Sequence, residues 1–454
     1  MSLKTKSFSN IFLKLGDFLT GKNIYNRLRF LERSQYWTRE QIDAYQNEKL
    51  RSLILHAYQN VPFYTELFNR NQLKPDDIQT KDDLYKLPII TKKDLKLNKS
   101  KWKAVNLRDR SLIYSSSSGS TGEPFQFYTT RNSDSFHLAC AIRAWYWNGY
   151  KLGDKYVKIS MNPRTSKLKK IQDLLNNSLY LSSTSLTPEV FMGIANSILS
   201  FDPKIIRCYP VPLSMLAEII KESKGCYNGK SLVAINTTGS TLSQSTRDLI
   251  ENIFKVKIFD SYSCEGGADF TQCPESGFYH PSEEYCISEY MEDDFTKSHP
   301  DRPMRHITTD LHNYASPFIR YDSQDYVVLG PDEICKCGKS FRNIRKILGR
   351  DSDILKTPSG KYLIVENFVA YFEWRSEVEQ IQIVQKRINE IYINLVVNEK
   401  FTGEVQKDIY NYWKEYIGED VNIILNTVTD IKLTPSGKRR TVIRDSEISL
   451  FDER

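Results

Sequence analysis

The chain of 454 residues contains no apolar run approaching the roughly 18 residues that a membrane-spanning helix needs, so such a helix is excluded. Cysteine is scarce: eight residues without dense spacing do not make a disulfide scaffold, and reduced thiols in the cytoplasm are expected. Net charge is also lacking. Lys and Arg number 63 against 56 Asp and Glu, an excess of +7, and the two signs are interspersed. Nucleic-acid binding would require clustered basic residues with aromatics between them, and none is found. There is no internal repeat or low-complexity block, no Gly-Lys-Ser/Thr phosphate loop, and no hydrolase motif around the six histidines. The N-terminal MSLKTKSFSNIFLKLGDFLTGKN has no continuous apolar core and no small-residue cleavage site, so it is read as mature sequence. Its Ile11, Phe12, Leu15 and Phe18 follow a helical spacing. They are expected to dock on the protein's own core, with a membrane surface or a partner as the alternative.

An ordinary globular composition is what remains. With 40% hydrophobic and 26% charged residues, the chain can bury a core, and disorder throughout is excluded. At about 100–200 residues per domain, the length allows two to four units. Residues 29–70 read as helices, with Leu50, Leu53, Ile54 and Ala57 on one face and Pro62 breaking the pattern. Thr91 caps a helix in LPIITKKDLK. From about residue 154, β-rich runs alternate with helical ones: KYVKISM, a helix near 188–199, KIIRCYP, a helix near 212–223, SLVAINTTG, a helix near 243–253 and VKIFDSYS. That alternation predicts an α/β unit with mostly parallel strands. In such sheets ligands lie outside the carboxyl ends of strands. TTGSTLS and YSCEGG fall at two of those ends. Beyond residue 350 the pattern becomes β-β-α-β, which places a boundary at the GRDSD turn. The expected division is 1–350 and 351–454, a large N-terminal domain and a small C-terminal α+β domain.

The run YSSSSGSTGEPF over Tyr114–Phe125 is the most informative. Small hydroxyl residues and glycine let backbone N–H groups approach an anion closely. Two readings stand: a phosphate-binding loop, or a flexible serine-rich linker. The run resembles the phosphate-binding loop of the adenylate-forming superfamily. HAYQNVPFY and LPIITKKDL resemble the branch that holds phenylacetate–CoA ligase and CapK-like proteins. The resemblance extends from about residue 30 to 445, with further motifs in family order.

The resemblance implies an adenylating ligase that uses ATP, Mg²⁺ and a small carboxylic acid. Ser116, Ser117, Ser118, Gly119, Ser120, Thr121 and Gly122 would hold phosphates. Gly239, Ser240 and Thr241 would lie along the adenine. In DSYSCEG, Ser261 and Tyr262 fall to the nucleotide, with Tyr262 stacking on adenine and Glu265 holding Mg²⁺, a hard cation that prefers carboxylate oxygen. Asp325 would accept hydrogen bonds from the ribose hydroxyls, although Gln324 stands where the family usually has glycine. Arg350 would contact ribose or phosphate, and the hinge position falls on Ser352. In LTPSGKRR, Lys438 matches the catalytic lysine, whose ammonium would offset charge that develops at the α-phosphate.

CoA is the expected acceptor, with an amine on a sugar or amino acid as the alternative. CapK-like members are associated with polysaccharide loci. A non-catalytic nucleotide-binding scaffold of a cell-envelope pathway is a reading from another class. Assembly as a homodimer is left open. The acid pocket is expected between the helix near 137–147 and the loops at 208–215, 238–241 and 262–267. There Trp145 and Tyr209 would admit an aryl or alkyl acid, or are ordinary core residues. Cys273, His280, Cys335 and Cys337 have a donor set suited to a closed structural Zn²⁺ site, with Cys286 in reserve. The alternative is buried reduced cysteines and a surface histidine.

Overall fold

The computed structural model describes residues 13–14, 16–18, 20–108, 112–117, 125–160, 166–183, 188–240, 242–264, 266–292, 303–350, 355–359, 362–363, 368, 371–372, 375–432, 440–445 and 448. The expected N-terminal helices form over Ile24–Ser34, Arg39–Asn60 and Pro62–Arg70. Thr38 and Gln41 cap the second reciprocally: each backbone N–H donates to the other's side chain, at 3.0 and 3.3 Å. Pro62 occupies the first turn of the third helix, where its missing N–H costs nothing, so it starts a helix as well as ending one. Leu50, Leu53, Ile54 and Ala57 are fully buried in one core with Tyr64, Phe68, Trp102 and Phe318. Thr91 caps Lys92–Leu97, and Asp94 answers it. Phe18 departs from expectation. It is 83% exposed and does not dock on the core, while Ile11, Phe12 and Leu15 lie outside the described residues.

Strands β1 (Leu112–Ser117) and β2 (Phe125–Thr130) form an antiparallel hairpin in which Ser117 faces Phe125. The serine–glycine run therefore connects two paired strands.

The main sheet has eleven strands. Its first five are β3 (Tyr156–Ser160), β4 (Ser178–Ser182), β5 (Ile205–Cys208), β6 (Ala234–Thr238) and β7 (Lys257–Ser263). All their pairings are parallel, and helices Lys167–Leu175, Pro188–Phe201, Pro210–Lys224 and Gln244–Phe254 make the crossovers. Next come β8 (Asp269–Gln272), β9 (Tyr279–Pro281), β10 (Cys286–Met291), β11 (Met304–Asp310), β12 (Tyr321–Leu329) and β13 (Ile344–Arg350). These pair antiparallel, in the order β7-β8-β9-β13-β12-β11-β10. The sheet is thus mixed, and parallel pairing is confined to the strand–helix alternation. After Ser263 the links carry no crossover helix among the described residues; β7-β8-β9 and β10-β11-β12-β13 each run back and forth, and β13 joins the two sets by pairing with β9.

Each face of the parallel half has its own cover. Ile206, Cys208, Ile235 and Ile258 pack against the helices of 188–254. Ile205, Ala234 and Phe259 pack against Trp145 and Tyr146 of the helix Arg131–Trp147.

The C-terminal stretch begins with the short pair β14 (Leu355–Lys356) and β15 (Tyr362–Leu363). It continues as β16 (Val378–Arg387), β17 (Glu390–Val397), a helix Gly403–Ile417, β18 (Asn422–Thr427) and β19 (Val442–Arg444). The four-stranded sheet runs β18-β17-β16-β19. Its apolar core draws every member from Leu355 to Val442, with Trp413 stacked on Phe368 at 4.5 Å.

Buried titratable groups give the fold a pH signature. His306 bonds Ser323 and Ser288 from its two ring nitrogens, and His312 bonds the Glu284 carbonyl. Burial pushes both imidazoles down to about 3. Unfolding exposes them to ordinary values near 6.5, so the unfolded chain gains protons and stability falls as pH drops below that value. Asp310 works in the opposite sense. Burial pushes its carboxyl up to about 7, so its contribution is present at low pH and lost as pH rises through that value. The urea midpoint is expected to fall from pH 7 to pH 4, and to fall more steeply in Asp310→Asn. A slope unchanged by that substitution would contradict the buried acid.

Candidate active site

The strand ends bring sequence-distant motif residues together. Tyr262, on β7, donates from its hydroxyl to Asp325 Oδ2 on β12 at 2.5 Å. Its ring leans on Phe270 at 5.1 Å. Burial, then the Asp325 carboxylate, hold the phenol well above its ordinary value, so it stays a donor. Asp325 is 7% exposed and faces Arg350 across the β12–β13 pairing. Only the backbone of Arg350 is described.

Gln324 shows how Asp325 is aimed. Its φ is +61°, the left-handed region that glycine enters freely and that costs other residues about 1–2 kcal/mol. Between Ile307↔Asp322 and Arg305↔Tyr326 the partner strand advances two residues more than β11. That bulge turns Asp325 toward Tyr262. The departure from glycine at 324 therefore keeps the turn and bears its cost. Arg305 pairs with Asp322 at the base of the bulge.

Thr238 pairs with Ser261, which sets Gly239 and Ser240 beside the end of β7. Gly239 has φ +82°, and a Cβ there would meet the Tyr209 ring at 2.5 Å. No other residue fits without moving that ring. Tyr209 is thus committed to this turn, and Trp145 packs on Tyr156 and Tyr150. Ser261 and Tyr262, both expected at the nucleotide, lie on different faces of β7. Adjacent strand residues project to opposite faces, so Ser261 points toward the helix Arg131–Trp147 while Tyr262 points to Asp325.

Sequence reasoning gave Asp260 no role. Thr237 donates to its Oδ1 at 2.6 Å and Tyr279 to its Oδ2 at 2.9 Å, so one buried carboxylate ties β6, β7 and β9 beneath the site. The signal available was an acid directly after the apolar pair Ile258 and Phe259 within a strand. Ser118, Gly119, Ser120, Thr121, Gly122, Thr241, Glu265, Ser352 and Lys438 lie outside the described residues, and Ser116 and Ser117 are described in backbone only.

The four predicted metal ligands converge. Donor atoms of Cys273, His280, Cys335 and Cys337 all lie within 4.8 Å of one another. Cys273 Sγ is 3.8 Å from Cys335 Sγ, and Cys337 Sγ is 3.4 Å from His280 Nε2. A tetrahedral ion with metal–sulfur bonds of about 2.3 Å would separate two sulfurs by ~3.7 Å; a disulfide would need about 2.05 Å. The spacing fits a metal. His280 Nδ1 lies 3.2 Å from the Arg342 carbonyl, which orients the ring and leaves Nε2 for the ion. The contact between Cys273 and Cys337 pushes Cys273 up to about 12 and Cys337 down. Buried Lys339 also favours the Cys337 thiolate. Cys286 is elsewhere, near the Ser282 carbonyl, and is not a ligand.

Residues 355–445 match the family model of the CapK C-terminal domain. The chain is 23% identical over 446 residues to Protein CapK of Staphylococcus aureus, covering 96% of this chain and 97% of that protein. It is 23% identical over 382 residues to phenylacetate–coenzyme A ligase of Thermus thermophilus, covering 82% and 85%. In fold it is similar to 2-hydroxyisobutyryl-CoA ligase in the postadenylation state, with a TM-score of 0.72 at 16% identity over 92% of each chain.

Proposed function

We propose that the chain is an AMP-forming ligase, a CapK- and phenylacetate–CoA ligase-like member of the adenylate-forming superfamily, a reading supported by its similarity to those proteins. A carboxylate oxygen attacks the α-phosphorus of ATP, the bond to the β-phosphate oxygen breaks, and pyrophosphate leaves. The CoA thiolate then attacks the acyl carbon, and AMP leaves with the electron pair of the broken C–O bond.

The observation that carries this reading is the Tyr262–Asp325 hydrogen bond opposite Arg350. Residues of three motifs far apart in sequence share one end of the sheet, and the aromatic ring beside a carboxylate supports the nucleoside reading. Tyr262 presents Asp325 to the ribose hydroxyls, and the 116–122 run receives the phosphates. Glu265 would hold Mg²⁺, which when bound neutralises phosphate charge. Residues 1–350 form the binding domain. Residues 351–454 carry Lys438 and rotate about Ser352 between the two steps. A role in polysaccharide biosynthesis belongs to the proposal and rests on the similarity to Protein CapK.

The test is exchange of labelled pyrophosphate into ATP across a carboxylate panel, followed by acceptor dependence. AMP release that requires CoA supports the thioester; release that requires an amine shifts the product to an amide. No exchange with any acid, together with tight ATP and AMP binding, would favour the scaffold.

Zinc in the Cys₃His site completes the proposal. Four protein donors leave no open position, so the ion has a structural role. It ties the β8–β9 loop to the β12–β13 loop. Purified protein is expected to contain about one zinc ion per chain. Cys335→Ser should lose it and melt several degrees lower, since structural zinc contributes folding energy. Free titration of Cys273, Cys335 and Cys337 and no metal in the native protein would refute the site.

A further inference from the structure

The face of the sheet that Ser261 joins carries charged groups that the reaction above leaves unused. Residues in register project to the same face. Arg207 on β5 pairs with Asn236 on β6, Asn236 with Phe259 on β7, and Ser263, four residues further along β7, with Asp269 on β8. All of them face the helix Arg131–Trp147, which carries His137 and Arg143.

Asp269 is only 6% exposed, and its Oδ2 has no hydrogen-bond partner. Burial pushes its carboxyl up, and the neighbouring His137, Arg143 and Arg207 side chains act against that. Arg143 is committed elsewhere, in a 2.7 Å ion pair with Glu284. The other two are available. Half-buried Arg207 makes a cation–π contact with Trp145 at 6.0 Å, and His137 stacks on Tyr285 at 5.9 Å. Neither has a hydrogen bond among the described residues.

A buried carboxylate oxygen without a partner destabilises the fold that holds it. Such an arrangement persists where a ligand completes it. An acceptor on β8 shares this face with donors on β5 and on the helix, and hydroxyl groups, which both donate and accept, can serve either kind of partner. A phenyl ring or alkyl chain satisfies neither. The place is also suitable, because Asp269 follows closely on DSYSCEG in sequence, and the Cys264 N–H donates to the Ala268 carbonyl just before it.

We propose that the carboxylic acid activated here is a hydroxy acid, and that Asp269, with Arg207 and His137, reads its hydroxyl groups. This rests on the adenylating reaction, and it replaces the aryl or alkyl acid that the aromatic residues suggested. Sites built to bond a substrate hydroxyl reject the analogue lacking it by factors of about 10⁴.

Pyrophosphate exchange with matched pairs tests it: 3-hydroxybutyrate against butyrate, gluconate against hexanoate, with phenylacetate and 4-aminobutyrate alongside. The expected result is a preference of at least about 100-fold for the hydroxylated partner in kcat/KM. That preference should collapse in Asp269→Leu and in Arg207→Met while AMP binding stays unchanged. Asp269→Asn, which keeps the shape and an acceptor, guards against a folding defect and should retain part of the preference. Exchange that favours butyrate, phenylacetate or 4-aminobutyrate, or a preference untouched by both substitutions, overturns the hydroxy-acid assignment and leaves adenylation standing. No exchange with any acid, coupled to equal binding of every pair by the wild type and Asp269→Leu in calorimetry, overturns both.

Discussion

Lys438→Ala is expected to lower pyrophosphate exchange by about 10²–10³-fold, equivalent to about 2.7–4 kcal/mol of lost transition-state stabilisation. As the carboxylate attacks the α-phosphate, negative charge from both reactants gathers in one place. An ammonium positioned there is worth more in the transition state than in the ground state, so its loss falls on kcat rather than on KM for ATP. The second half-reaction should respond differently. Given a presynthesised acyl-adenylate and CoA, Lys438→Ala should form thioester at nearly the wild-type rate, because the proposed rotation about Ser352 carries the lysine away before the thiol arrives. Equal losses in both half-reactions would mean that Lys438 maintains structure. Unchanged exchange would remove it from the mechanism.

Glu284→Ala is expected to destabilise the fold by about 3–5 kcal/mol, a third or more of the stability of an ordinary domain. The side chains of Arg143 and Glu284 are 2% and 0% exposed and meet at 2.7 Å. Ser34 donates to the same carboxylate oxygen at 2.6 Å, and Arg143 donates to Ser282 at 3.0 Å. The pair therefore holds the first helix, the helix Arg131–Trp147 and the turn before β10 in one place. Removing the carboxylate leaves a guanidinium in an apolar interior. The cost arises from that orphaned charge, so Arg143→Met combined with Glu284→Leu should recover most of it. Denaturant midpoints of the two variants decide the matter: a double variant no better than the single would assign the loss to packing.

Much of this was legible in the sequence, and the reasons are local. Helix faces such as Leu50–Ala57 and caps such as Thr91 are written in nearby residues, and the parallel half of the sheet in the alternation of two periodicities. The metal site was legible for a different reason: thiols and imidazole are scarce, so four in two short segments stand out. What stayed hidden depends on register. Nothing near Asp325 reveals that Tyr262 will bond it, or that a bulge with Gln324 in the left-handed region will aim it. Asp260 and Asp269 read as ordinary acids until strand pairing shows one tied to Thr237 and Tyr279 and the other orphaned. The sheet's antiparallel half was missed because the links after Ser263 carry no helical signature.

The two faces of β7 have a consequence for how such a protein can change. Its even-numbered residues look toward Asp325 and its odd-numbered residues toward Asp269. In the proposed reaction, one ribbon of backbone separates the group common to every turnover from the group that defines the substrate. Substitutions at alternate positions can retune the acid while leaving the nucleotide contacts as they are. An insertion of one residue in the same strand exchanges the two sets and destroys both.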